Sequence, residues 1–113
     1  MIKLFTSNNR SSRNARNYFF QNQIPIKQVK LQAGLTQADI YFILEKNPDD
    51  IFSILALKSK GIQDLLQNIE LLSMSELVQI LLLHPEYLKT PIIVSNKHFV
   101  VGYSQNGLRM FKN

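Results

Sequence analysis

The residues best suited to chemistry lie in segment 6–12, Thr-Ser-Asn-Asn-Arg-Ser-Ser, and at the two histidines, His84 and His98. A serine becomes a nucleophile only when a neighbouring base takes its proton, and neither histidine forms a recognisable triad pattern with Ser12. The chain contains no cysteine, which excludes disulfides, thiolate metal ligands and thiol catalysis. Two histidines without a nearby carboxylate cluster also argue against a metal site. We therefore expect no catalytic residue, no metal and no cofactor.

Positive charge is concentrated near the start of the chain, where six basic residues precede the first acid, Asp39. Such a segment can bind nucleic acid or another anion. A solvated basic face is the simpler interpretation, because no aromatic residues alternate with these charges as a stacking platform requires. Arg10, Ser11, Ser12 and Arg13 flank a predicted helix start, whose free N–H groups favour phosphate or sulfate. We predict any bound anion at these four residues, with incidental surface charge as the alternative, and no sequence-specific nucleic-acid binding.

The composition is that of one globular domain. The 113 residues are 45% hydrophobic and 19% charged, enough apolar material for a single compact core. No apolar run approaches the ~20 residues that cross a bilayer, and the apolar start of the chain is far shorter than a signal sequence. We expect one domain over residues 1–113, soluble, cytoplasmic and without a membrane partner.

The first third of the chain predicts a strand, a helix and a second strand. Residues 2–5 are apolar and end at a cluster of turn-forming residues. Residues 12–21 place apolar side chains at helical spacing, and Ser11 or Ser12 can cap that helix. Residues 24–31 suit a strand. A strand–helix–strand unit of this length implies parallel pairing with a right-handed crossover.

The middle of the chain predicts helices. Thr36 and Asp39 have capping-box spacing, and a helix is expected from there to about residue 46. Asn47 followed by Pro48 and two acids predicts the start of another helix.

Two further helices are expected before the period of the sequence changes. A short one is predicted at residues 62–67, and a full capping box at 73–76 opens the apolar stretch 77–83, which is typical of a buried helix. Residues 91–94 and 99–101 then form β-branched runs that predict an antiparallel hairpin, followed by a helix at about 104–111.

Several short motifs, taken together in their order, resemble the Spx and arsenate reductase (ArsC) family over almost the whole chain. They lie at residues 4–7, 13–16, 24–25, 57–60, 84–85, 91–94 and 101–103, and the last of them, followed by 109–111, is more similar to the Spx branch. The resemblance implies an α/β, thioredoxin-like (glutaredoxin-type) fold with a mixed four-stranded sheet and a helical insertion at about 36–90. It also implies a cis peptide bond at Pro91.

The positions with which that family does its chemistry hold other residues here. The resemblance aligns the family's loop cysteines with Asn9 and Ser12. It aligns the oxyanion-binding arginines with Lys58, Thr90 and segment 101–103, so each arginine is missing. Lysine keeps a charge without the planar two-pronged donor, and threonine keeps neither. Together with Pro91 these positions make a vestigial active site, which implies a protein that is not an enzyme.

The resemblance also implies a partner. In Spx, the region that matches Glu45, Asp49 and Asp50 contacts the C-terminal domain of the RNA polymerase α subunit, with a glycine at the position of Asp50. Helix capping is the simpler role for these acids, and the added carboxylate can either clash with the partner or pair with a basic residue. Three functions stay open. They are a Spx-like transcriptional regulator without a cysteine redox switch, a thioredoxin-like interaction or scaffold protein with another partner, and a reductase-class enzyme, which the missing cysteines disfavour.

Overall fold

The computed structural model describes residues 1–112. The strands are β1 (Ile2–Thr6), β2 (Ile26–Lys30), β3 (Ile92–Val94) and β4 (Phe99–Val101). The helices are α1 (Arg10–Gln21), α2 (Leu31–Gly34), α3 (Gln37–Lys46), α4 (Ile62–Asn68), α5 (Met74–Leu83) and α6 (Gln105–Leu108), with 3₁₀ turns at Ile51–Ile54, Ile69–Leu71, Pro85–Tyr87 and Arg109–Phe111. The backbone divides into two compact units. We call residues 1–34 with 90–112 the sheet unit and Leu35–Lys89 the helical unit, and the single-domain organisation stays a prediction.

The sheet unit contains a mixed four-stranded sheet in the order β2-β1-β3-β4. β1 and β2 run parallel from Ile2↔Ile26 to Thr6↔Lys30, joined by α1, as the strand–helix–strand pattern predicts. β3 pairs antiparallel with both β1 and β4, which confirms the predicted hairpin and the thioredoxin-like sheet.

The core of the sheet unit lies between this sheet and its helices. Leu4 and Ile93 from the strands pack with Ala15 and Phe19 of α1 and with Leu108 of α6, and all five are fully buried. Burial of each of the four larger side chains, those of the leucines, the isoleucine and the phenylalanine, contributes about 1.5–3 kcal/mol. This packing fixes α1 above the sheet and so positions the loop that precedes α1.

In the helical unit, both predicted capping boxes are present. Thr36 with Asp39 opens α3, and Ser73 with Glu76 opens α5, so each helix begins where its sequence signal stands. The prediction for stretch 77–83 is correct only in part: Leu77, Val78 and Leu81 are buried, whereas Leu83 is 75% exposed.

Four local predictions are wrong in detail. Asn47 does not start a helix, because it ends α3 in an extended conformation, which the following proline favours. Asp50 caps a single 3₁₀ turn instead. Leu31 belongs to the short α2 rather than to the strand. The last predicted helix is a short α6 continued by a 3₁₀ turn. The fourth concerns the cap of α1, described below.

No helix within residues 1–112 is long and apolar enough to cross a membrane. In the same residues, no three His, Asp or Glu side chains are grouped as a metal site requires.

Candidate functional site

The loop before α1 is capped by its own asparagine. Asn9 has an extended backbone, and its side-chain Oδ1 accepts a hydrogen bond of 2.8 Å from the Ser12 N–H. Its carbonyl oxygen accepts from the Arg13 N–H at 3.2 Å. The N-cap is therefore Asn9, not Ser11 or Ser12, because it is the last extended residue before the helix and asparagine is among the strongest caps.

Ser12 is a structural residue rather than a reactive one. It is 2% exposed, and its Oγ accepts a 3.1 Å hydrogen bond from the Ser7 N–H. Within residues 1–112 its hydroxyl has no histidine or carboxylate partner that would remove its proton. A serine held in this way is not a nucleophile at neutral pH.

Thr90, which lies just before β3, also bonds to this loop. Its Oγ1 shares a 2.5 Å hydrogen bond with the Ser7 hydroxyl and accepts another, at 2.9 Å, from Nδ2 of Asn9. The same Nδ2 lies 3.3 Å from the Thr90 carbonyl oxygen. The Thr90–Pro91 peptide bond is cis, which confirms the expectation for Pro91.

These bonds join the predicted vestigial positions in a small closed network. Asn9 and Thr90, two of those positions, are bonded to each other, and Ser12 is tied to the same loop through Ser7. Each such bond contributes about 0.5–1.5 kcal/mol, so the network stabilises the loop. Lys58 is exposed and belongs to the helical unit.

A cleft of about 240 Å³ lies beside this loop in the sheet unit. Its lining residues come from the loop, α1, β2 and α2: Thr6, Ser7, Asn8, Ser12, Arg13, Arg16, Gln28, Lys30, Gln32 and Ala33. Ser12 and Arg13 of the predicted anion site line the cleft, whereas Arg10 and Ser11 do not. The anion site at those four residues stays a prediction.

The sequence reasoning missed the far wall of this cleft. Gln28 and Lys30 alternate along β2 and so share one face, and Arg13 and Arg16 are three apart on α1. The two-residue spacing on β2 and the three-residue spacing on α1, combined with the predicted parallel pairing of β1 and β2, would have indicated that these side chains line one cleft.

The two histidines make local contacts. His84 ends α5, and its Nδ1 lies 3.1 Å from Oε2 of Glu86 while its ring stacks on Tyr87. The ring of His98 packs edge-on against the ring of Phe111, with 5.7 Å between the ring centroids. Both contacts suit a structural role.

The three acids at the predicted partner surface are all exposed, in the helical unit. Glu45 lies in the last turn of α3, and Asp49 follows in the connection. Asp50 is the only one with a structural task among the described residues: its Oδ1 accepts from the Ser53 N–H at 3.2 Å and so caps the 3₁₀ turn. A substitution at Asp50 that removes its side-chain oxygen therefore also removes this cap, whereas asparagine keeps it.

Comparisons with known proteins agree on one family. A sequence profile of the ArsC family matches residues 4–111. The global transcriptional regulator Spx of Bacillus subtilis is 31% identical over 98% of this chain and 86% of its own length. Spx of Staphylococcus aureus is 33% identical over the same shares. Among solved structures, an ArsC family related protein from Bacteroides fragilis superposes with a TM-score of 0.77 at 11% identity, covering 98% of this chain and 97% of the other.

Proposed function

This chain belongs to the ArsC family, in its Spx branch, and from that premise we propose that it is a transcriptional regulator and not an enzyme. The observation that carries the proposal is the closed network of Ser7, Asn9 and Thr90. A loop that has no thiol, and whose Asn9 and Thr90 side chains are bonded to each other, offers no group that could attack a substrate, while the rest of the fold is kept. A retained fold without chemistry suits a protein that acts by binding.

We further propose that its partner is the C-terminal domain of the RNA polymerase α subunit, and that binding does not depend on redox state. The chain has no cysteine that oxidation could alter. Glu45, Asp49 and Asp50 offer exposed negative charge, which favours a basic partner surface. The helical unit that carries them is acidic as a whole, so attraction of such a partner extends beyond these three residues.

Calorimetry with the α C-terminal domain tests this proposal. Asp50→Asn keeps a good cap and removes only the charge, so it isolates the electrostatic contact. If Asp50 pairs with a basic residue, Asp50→Asn weakens binding and Asp50→Lys weakens it by about 1–3 kcal/mol, with a loss of affinity as salt rises. If the carboxylate obstructs docking, Asp50→Gly strengthens binding. Asp64→Asn, an exposed acid of α4, is the matched control.

Dithiothreitol should leave every one of these affinities unchanged. Absence of binding by all variants would shift the proposal to an interaction or scaffold protein with another partner. Exposed apolar side chains of the helical unit favour that second function: Leu71 is 82% exposed and Leu83 75%. Measurable reduction of arsenate or of a disulfide, with glutathione or thioredoxin as reductant, would contradict both.

A further inference from the structure

The cleft beside α1 gathers positive charge that has no counterion in its own unit. Arg13 and Arg16 of α1 line one side and Lys30 of β2 the other. Within residues 1–112, these three side chains make no hydrogen bond or ion pair. The sheet unit contains no aspartate or glutamate at all. Three cations around one concave surface therefore favour an anionic ligand.

Two buried hydroxyls in the wall of the cleft also lack an acceptor. Thr6 and Ser12 are 3% and 2% exposed. Oγ1 of Thr6 accepts from Nε2 of Gln28 at 3.0 Å, and Oγ of Ser12 accepts from the Ser7 N–H. Neither hydroxyl donates a hydrogen bond to another group of residues 1–112. A hydroxyl has one donor hydrogen besides its acceptor lone pairs, so each can still donate to an oxygen ligand.

We propose that this cleft binds the phosphoryl group of a small molecule. The phosphate oxygens accept from the Thr6 and Ser12 hydroxyls, and Arg13, Arg16 and Lys30 balance the charge. The volume of about 240 Å³ suits a compact phosphorylated ligand, and a concave cleft fits it better than the convex backbone of a nucleic-acid duplex. The proposal is independent of the proposed polymerase contact, whose residues belong to the helical unit.

Titration of ¹⁵N-labelled protein with inorganic phosphate and with pyrophosphate tests the site. We expect saturable shifts of the amides of Thr6, Ser7 and residues 28–33, with pyrophosphate binding more tightly because it carries more charge. Arg16→Gln and Lys30→Gln are each expected to weaken binding about tenfold, as loss of a charge-assisted hydrogen bond implies. Arg16→Lys keeps the charge and should lose less.

Lys27→Gln is the matched control, because Lys27 lies on the same strand, is exposed and does not line the cleft. Its affinity should stay within about twofold of wild type, since exposed charges are screened over short distances. All three substituted residues, Arg16, Lys27 and Lys30, are exposed, and the dispersion of the amide spectrum verifies that each variant is folded.

Three results would overturn the proposal. The first is no saturable shift with either anion at millimolar concentration. The second is shifts confined to the amides of Arg10 and Ser11, which would place the anion at the helix start. The third is binding of a single-stranded oligonucleotide, lost in Arg16→Gln, while both anions are silent; that result would assign the cleft to a nucleic-acid backbone.

Discussion

The sheet unit and the helical unit carry opposite charge. The sheet unit holds nine of the 13 basic residues and none of the eight acidic ones: Lys3, Arg10, Arg13, Arg16, Lys27, Lys30, Lys97, Arg109 and Lys112. The helical unit holds the other four basic residues and all eight acids. The net charge of +5 is therefore the sum of a strongly basic unit and an acidic one, which differ in the charge of the partner that each favours. By charge alone, the sheet unit favours anionic ligands and the helical unit favours basic surfaces.

The units also differ in how they use polar side chains. In the sheet unit, Asn9 and Thr90 bond to each other across 81 positions of sequence. In the helical unit, the capping pairs such as Ser73 with Glu76 are only three residues apart. Long-range bonds form only when the tertiary structure does, whereas local ones follow from the sequence itself. Four predictions test this contrast between long-range and local stabilisation.

The largest effect is expected from Phe19→Ala in the core of the sheet unit. Phe19 is fully buried, and its ring packs edge-on against that of Phe111 with 5.9 Å between the ring centroids. Loss of its ring should therefore reduce the free energy of unfolding by about 3–5 kcal/mol. Leu83→Ala in the helical unit, at 75% exposure, should change it by less than about 0.5 kcal/mol. Urea denaturation measures both. Equal losses would indicate that Leu83 is covered by another molecule in solution.

Thr90→Val should cost about 1–3 kcal/mol, because it removes two hydrogen bonds of Oγ1, to the Ser7 hydroxyl and to Nδ2 of Asn9, each of which contributes about 0.5–1.5 kcal/mol. Thr90→Ser keeps the hydroxyl and serves as the control. The same denaturation experiment compares the two variants, and equal stability of both would mean that water replaces the network at no cost.

Ser73→Ala tests the local side of the contrast. It removes the hydroxyl that accepts from the Glu76 N–H at 3.1 Å, and loss of an N-cap typically costs about 1 kcal/mol. The neighbouring Ser75, exposed within the same helix, gives the control Ser75→Ala. Chemical denaturation should separate the two, and an effect of Ser75→Ala as large as that of Ser73→Ala would contradict the capping role.

The smallest effect concerns pH. The backbone N–H and hydroxyl of Ser73 lower the pKa of Glu76 below its usual value. A carboxyl group whose pKa is lower in the folded state contributes stability above its unfolded pKa and loses it as pH falls through the folded value. Glu76→Gln keeps a capping partner without the titration, so the variant should lose less stability on acidification than wild type. Thermal unfolding at neutral and acidic pH measures the difference, and parallel losses would rule out this contribution.

The elements that sequence predicted well are those with local signals. The two capping boxes place the starts of α3 and α5, and the β-branched runs place the hairpin of β3 and β4. The prediction that a helix starts at Asn47 was wrong because an asparagine before proline is compatible with both the end of one helix and the start of the next. The two cases differ only in whether its N–H is already bonded to the preceding helix, and here it donates to the carbonyl of Ile43 at 3.0 Å.

The candidate site was predictable in its residue identities but not in its bonding. The family resemblance places Asn9, Ser12 and Thr90 at the vestigial positions, and nothing local reveals that Asn9 and Thr90 bond to each other. Lys30 was likewise visible only as one charge in a basic segment, because its closeness to α1 depends on how β2 pairs with β1.

The bonds between Asn9 and Thr90 have a consequence for how such a regulator is controlled. A thiol in this loop can be oxidised and reduced again, so its covalent state reports recent exposure to oxidants. The amide of Asn9 and the hydroxyl of Thr90 have no such reversible oxidation. Under the proposed function, we expect the activity of this protein to follow its concentration in the cell, set by synthesis and degradation, and not its oxidation state.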